Sequence, residues 1–168
     1  MSTQVSVPAS AVLSGCFLSG AMMGLSLMAV PVLLETNTQA GHLVDQWFNL
    51  YQHGHHVAPA MSIATLAVYL WTAVDRRSKH KPWLVFLLAG LITFTMVPFT
   101  LTLMAPTNNA LFKIEHDKNS MSLLPATLAE VQQLVIQWQR FHAVRSLFPL
   151  AGTIVGLTGT LNELKILK

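Results

Sequence analysis

The strongest constraint on this chain is an absence of charge. No Asp, Glu, Lys or Arg occurs in residues 7–34, and three further runs, 57–74, 83–104 and 146–161, are uncharged as well. A hydrocarbon core about 30 Å thick needs roughly 20 apolar residues in a helix. With no water there to satisfy backbone N–H and C=O groups, helix is what such runs must form. Extending the fourth run toward its N-terminus gives spans at about 7–34, 57–74, 83–104 and 142–161. Composition agrees: 52% of residues are hydrophobic and 10% charged, with mean hydropathy +0.50, against about 25% charge in soluble domains. The expected fold is all-α, a four-helix transmembrane bundle with an extra amphipathic helix before the last span. Residues 1–168 are read as a single integral membrane domain, since no linker, repeat or low-complexity tract divides them.

The first run has a competing reading as a secretory signal, with Thr38-Gln39-Ala40 as a small-residue cleavage site. Residues 1–7 carry no Lys or Arg, and the apolar run is too long for a signal core, so a retained helix is expected. Cys16 falls inside it without an intramolecular partner and reads as a small apolar filler. The remaining charge maps onto connections. Asp75-Arg76-Arg77-Ser78-Lys79-His80-Lys81 lies between spans two and three, whereas Glu35 and Asp45 are the charges between spans one and two. Positive loops stay cytoplasmic. Both termini are therefore expected in the cytosol, with Lys165 and Lys168 agreeing, in an endomembrane if the cell is eukaryotic. Membrane topology accounts for the basic block, and nucleic acid is not an expected partner. Gly20/Gly24 and Gly152/Gly156 are both G-x-x-x-G pairs, which let helices approach closely in lipid; they suggest that spans one and four touch.

Between spans three and four, Leu128, Val131, Leu134, Val135 and Trp138 recur at helical spacing among Glu130, Gln132, Gln133, Gln137 and Gln139, so an amphipathic helix should run on into span four. On it Trp138, His142 and Arg145 share a face. Each has an ordinary reading as belt aromatic or snorkelling cation. Together they place a titratable imidazole beside a permanent cation. Before span two, His53-Gly54-His55-His56 offers three imidazoles, which stand open as solvated loop residues, a buried histidine facing the bundle, or metal ligands. No carboxylate or thiolate sits at ligand spacing, and no metal is expected. Pro98 should kink span three and Pro106 end it, leaving Asn108 and Asn109 at the mouth of the bundle, where Asn108 either caps the next turn or meets a ligand. No nucleophile elbow, dinucleotide fingerprint or phosphate loop is present. The uncharged cores hold no histidine for haem.

Taken in order, Trp47, Leu50-Tyr51, Gly54 and Pro59, then Pro98-Phe99-Thr100, Met104-Ala105-Pro106-Thr107-Asn108 and Leu111, then Trp138, His142, Arg145 and Pro149, resemble the small tetraspan membrane family of fungal anthrone oxygenases. The resemblance covers nearly the whole chain. It implies a monooxygenase of secondary metabolite biosynthesis that oxidises a polyketide anthrone to an anthraquinone with O2 and uses no recognised flavin, haem or metal cofactor. It implies membrane lipid and polyketide pathway enzymes as neighbours. An anthrone yields an aromatic enolate on deprotonation, so the chemistry needs a base and an oxyanion cradle. In that scheme His142 is the base with His53 second, while Arg145 and Asn108 stabilise the enolate oxygen. Thr107 or Asn109 orients hydroxyls or peroxide; Trp138, Tyr51 and Phe99 supply flat apolar walls. A second class stays open from sequence: a non-catalytic membrane module that binds a lipid or quinone-like ligand or stabilises a partner enzyme.

Overall fold

The computed structural model describes residues 2–120 and 126–164, with side chains from residue 7. Lys165 and Lys168 lie outside the described residues. Within them the chain is helical and without strands: α1 (Ser2–Gly24), a π-helical turn (Leu25–Ala29), α2 (Val30–Thr36), α3 (Ala40–Ser78), α4 (Leu84–Phe94), α5 (Met96–Phe99), a second π-helical turn (Thr100–Met104), α6 (Ala105–Ser120) and α7 (Leu128–Glu163). Four stretches are long and apolar enough to cross a membrane: Val7–Thr36, Ala40–Ser78, Leu84–Ser120 and Leu128–Glu163. Large apolar side chains stay exposed along them, among them Leu13, Leu27, Trp71, Leu101 and Ile154. An aqueous domain rarely leaves so much apolar surface uncovered.

The helices outrun the uncharged segments. The connection between spans one and two shrinks to residues 37–39, and the His-rich stretch lies inside α3 rather than in a loop. Pro106 does not end span three, because α6 continues to Ser120. The expected amphipathic helix is the first part of α7, opened by a capping box: the Glu130 N–H donates to Thr127 Oγ1 at 3.3 Å, and the Thr127 N–H donates to Glu130 Oε2 at 2.7 Å. Absence of charge marks only what hydrocarbon demands. Past those limits a helix persists wherever one of its faces is still buried.

Two prolines shape the π-helical turns. Pro31 and Pro106 each stand two residues beyond the end of a turn, after Ala29 and Met104. A proline ring in a helix collides with the carbonyl four residues back and has no N–H to offer it. Widening the preceding turn by one residue relieves that collision. In the first turn the Val30 N–H reaches back to the Leu25 carbonyl, five residues away.

The chain divides into two compact units, residues 1–21, 58–98 and 146–168, and residues 22–57 and 99–145. In the first, glycines set helix spacing. A Cβ on Gly152 would stand 2.1 Å from Thr93 Oγ1 and 2.6 Å from the Ala89 carbonyl, and one on Gly156 would meet the Tyr69 ring. One on Gly15 would meet Thr153, so spans one and four do touch, but Gly20 and Gly24 have nothing within 4 Å. The first G-x-x-x-G pair is thus not a packing motif here. Tyr69, Ala73, Phe86, Ala89 and Ala11 form this unit's apolar core. Arg76 is buried in an ion pair with Asp75 and Glu163, its Nη2 donating to Glu163 Oε2 at 2.9 Å. After α3, His80 takes the left-handed conformation (φ 54°). The His80 N–H then bonds the Arg77 carbonyl and the Lys81 N–H the Arg76 carbonyl, a Schellman closure with His in the usual glycine position.

The second unit has a larger core: Val30, Leu43, Val44, Trp47, Met104, Leu111, Val131, Val135 and Trp138. All nine residues singled out as site candidates, Tyr51, His53, Phe99, Thr107, Asn108, Asn109, Trp138, His142 and Arg145, belong to this unit.

Candidate functional site

The site is built on α7. Trp138 and His142, one turn apart, stack with ring centroids 4.6 Å apart and planes 26° apart. Both are buried, at 3% exposure each. His142 Nδ1 lies 2.9 Å from Ser26 Oγ in the first π-helical turn. Ser26 Oγ in turn donates to the Met22 carbonyl at 3.2 Å, and Gln139 Nε2 donates to the Ser26 carbonyl at 2.6 Å. Arg145 donates from Nη1 to Thr100 Oγ1, in the second π-helical turn, at 3.0 Å. Its guanidinium also interacts electrostatically with the His142 ring and the Tyr51 phenol.

Aromatic side chains continue from Trp138. Trp47 meets it edge to face at 6.1 Å, and Tyr51 and Phe112 lie 5.5 and 5.3 Å from Trp47. Tyr51 also meets Phe112 edge to face at 4.9 Å, and Phe99 contacts Phe141. On α6, Thr107 and Asn108 are buried, whereas Asn109 is exposed. Asn108 stands inside α6 rather than ahead of it, so it caps no helix. Four polar atoms of this unit are buried without a hydrogen-bond partner among the described residues: Asn108 Oδ1, Trp47 Nε1, Trp138 Nε1 and Arg145 Nε. Leaving a buried polar group unpaired costs about 1–3 kcal/mol, so these four atoms are the places in this unit where a water or a ligand would gain a bond.

The structure therefore brings His142, Arg145 and Trp138 together and buries Thr107 and Asn108, but it leaves His53 and Asn109 outside. His53 is exposed, with Nδ1 2.7 Å from the Asn49 carbonyl of its own helix. His55 stacks on Tyr51 at 5.4 Å with its Nδ1 2.9 Å from the Gln52 carbonyl. Among the described residues, no three His, Cys, Asp or Glu side chains converge as a metal site would need. A separate groove of about 560 Å3 lies between α6 and α7, lined by Lys113, Ile114, Glu130, Gln133 and Leu134 among others. None of the nine candidates lines it, and its open, mixed polar lining differs from the buried aromatic surroundings of His142. Ser26, Thr100 and Gln139 were missed as site residues by sequence reading. A proline stands two residues past the end of each π-helical turn, but Pro8, Pro59 and Pro149 lie inside α-helices without such a turn, so proline alone could not have found these residues.

These features define an all-helical protein able to cross a membrane four times, in which a buried imidazole stacked on one indole stands beside a partly buried guanidinium. Comparison with known proteins makes the class specific. Residues 47–155 match the family model described as anthrone oxygenase. An anthrone oxygenase of Paecilomyces divaricatus is 49% identical over 95% of this chain and 97% of its own length. One from Aspergillus fumigatus is 44% identical over 92% and 93%, and the noranthrone monooxygenase of Aspergillus flavus is 41% identical over 89% and 70%. No solved structure matches the chain. The chain belongs to the anthrone oxygenase family of oxygenases.

Proposed function

We propose that this protein oxidises a polyketide anthrone to the corresponding anthraquinone with O2, and that His142 and Arg145 carry the reaction. The observation behind this reading is the pairing of a buried imidazole, stacked on Trp138, with a guanidinium whose Nε is buried and unpaired. His142 removes a proton from the anthrone methylene, and the Arg145 and Asn108 side chains hold the enolate oxygen. The enolate gives one electron to O2, and the resulting carbon radical and superoxide combine in a C–O bond. Protonation by the His142 imidazolium completes a hydroperoxide. Loss of the remaining methylene proton, cleavage of the O–O bond and departure of water leave the quinone carbonyl. One O2 is consumed and one of its oxygen atoms ends in water. Trp47, Trp138 and Tyr51 form the walls for the tricycle, and Thr107 lies on α6 beside Asn108 to orient its hydroxyls.

Because the enolate itself reduces O2, this route asks of the protein only binding, proton transfer and charge stabilisation. Purified protein incubated with emodin anthrone under ¹⁸O2 is expected to give ¹⁸O-labelled quinone above the autoxidation rate; quinone formed at the autoxidation rate defeats the reading. We also propose, from the basic residues 75–81, that this connection and both termini face the cytosol, from an endomembrane where the cell has one, beside lipid and polyketide pathway enzymes. In a Cys16→Ser background, Ser78→Cys in sealed vesicles should resist an impermeant thiol reagent while Thr38→Cys reacts. The reverse pattern inverts the topology.

A further inference from the structure

Both groups assigned to the reaction are held from outside α7 by hydroxyls, and both hydroxyls come from π-helical turns. We infer that these turns are positioning devices: Ser26 fixes His142 with its proton on Nδ1, so that Nε2 is the base, and Thr100 holds Arg145 by Nη1, leaving the Nε–H as the donor for substrate. The inference rests on the proposed reaction for its kinetic consequence, but not for its tautomer.

The first turn gives the reason. In a regular helix the Ser26 carbonyl would accept from the Val30 N–H, but that N–H reaches Leu25 instead. The next residue able to serve a π-helical bond to Ser26 is Pro31, which has no N–H. The Ser26 carbonyl is thus orphaned by the turn, and Gln139 Nε2 takes it up at 2.6 Å. One turn of α7 then grips Ser26 twice, by its carbonyl through Gln139 and by its hydroxyl through His142. The hydroxyl carries one proton, and the Met22 carbonyl, 3.2 Å away, can only accept it. The proton shared between Oγ and Nδ1 therefore comes from the imidazole. A fixed Nδ1–H leaves Nε2 with its lone pair, which is the tautomer a base needs.

The second turn repeats the arrangement before Pro106. Thr100 opens it, and its Oγ1 accepts from Arg145 Nη1 at 3.0 Å. One edge of the planar guanidinium is held in this way while Nε remains buried and unpaired. A lysine could not be held by one nitrogen and donate from another fixed one.

The test uses the full-length protein in nanodiscs with ¹⁵N-labelled histidine, the His142 signals being assigned by their loss in His142→Gln. Wild type should show Nδ1 protonated and Nε2 bare, and Ser26→Ala should lose that preference while remaining folded, its unfolding temperature lowered by no more than the loss of one buried hydrogen bond accounts for. In turnover, Ser26→Ala should lower kcat about 10- to 100-fold, taking as scale the loss when the hydrogen-bond partner of a metal-bound imidazole is removed, with KM within about twofold. Thr100→Val should lower kcat as well, and Thr100→Ser should recover it. An Nε2-protonated wild type, an unchanged tautomer in Ser26→Ala, or Thr100→Ser as impaired as Thr100→Val overturns the inference. A wild type that turns over no anthrone defeats the proposed reaction instead, and the nitrogen shifts still decide the tautomer.

Discussion

The two units of this protein bury different kinds of polar group. In the unit of residues 1–21, 58–98 and 146–168, the buried polar side chains other than Arg76 are hydroxyls, bonded either within one helix, as Thr93 to the Ala89 carbonyl and Thr160 to the Gly156 carbonyl, or between helices, as Thr65 to the half-buried Ser14 and Ser19 to the Ser146 carbonyl. Its unpaired buried atoms, Tyr69 Oη and Thr153 Oγ1, press against Gly156 and Gly15. The glycines in close contact, 15, 90, 152, 156 and 159, all belong to this unit. The unit of residues 22–57 and 99–145 holds both π-helical turns, the two buried indoles, His142, Asn108 and Arg145. Close packing in lipid selects small residues, because the solvent gives helices no hydrophobic reason to associate. A ligand site needs large polar groups whose bonds are left incomplete. Each of the four spans contributes residues to both units.

The largest expected effect lies in the second unit. His142→Gln should insert and fold normally yet lower the rate of anthrone oxidation by roughly 10²- to 10⁴-fold, the contribution of a positioned base. Arg145→Lys should also impair turnover, because it loses the planar fork. Full activity in His142→Gln together with an inactive His53→Gln would move the base to α3 and end the contrast between the units.

A smaller effect, on stability and not on chemistry, is expected from Gly152→Ala. The new Cβ would press on the Ala89 carbonyl, which belongs to the backbone and cannot swing aside, and overpacking of this kind costs about 1–3 kcal/mol. Thermal unfolding in detergent measures it. Gly20→Ala is the control: with open space around the new Cβ, α1 should gain up to about 0.5–1 kcal/mol from helix propensity. Equal destabilisation by both would show that glycine spacing does not organise this unit.

The smallest effects sharpen the reading of unpaired atoms. Tyr69→Phe and Thr153→Val remove hydroxyls that have no partner among the described residues, and should leave activity intact and stability unchanged or raised by about 1 kcal/mol. Trp47→Phe also removes an unpaired donor, but in the second unit, and should raise KM for anthrone. If Trp47→Phe leaves KM unaltered, its indole N–H does not face the substrate.

Fold class was legible because lipid imposes a severe rule: long uncharged runs must be helices, and four such runs give four candidate spans. The shared face of Trp138, His142 and Arg145 was legible because helical geometry fixes neighbours three and four residues apart. The sequence reading put His142 ahead of His53, but spacing could not supply the physical reason. Both are histidines near span ends, and their difference lies in what packs around them: an indole and a serine for one, and the carbonyl of its own helix for the other. Nor could it separate Asn108 from Asn109, which follow each other in sequence but point to different sides of α6.

The sequence by itself determined the apolar spans and the helical periodicity of α7, because each follows from interactions within a few residues. Only the tertiary structure decided that Ser26 meets His142, that Thr100 meets Arg145, and that Gly152 rather than Gly20 carries a helix contact. Those choices depend on the rotation and depth of one helix against another. Many registers of four apolar helices bury similar area, and the deciding terms are single hydrogen bonds and single methyl groups between residues far apart in the chain.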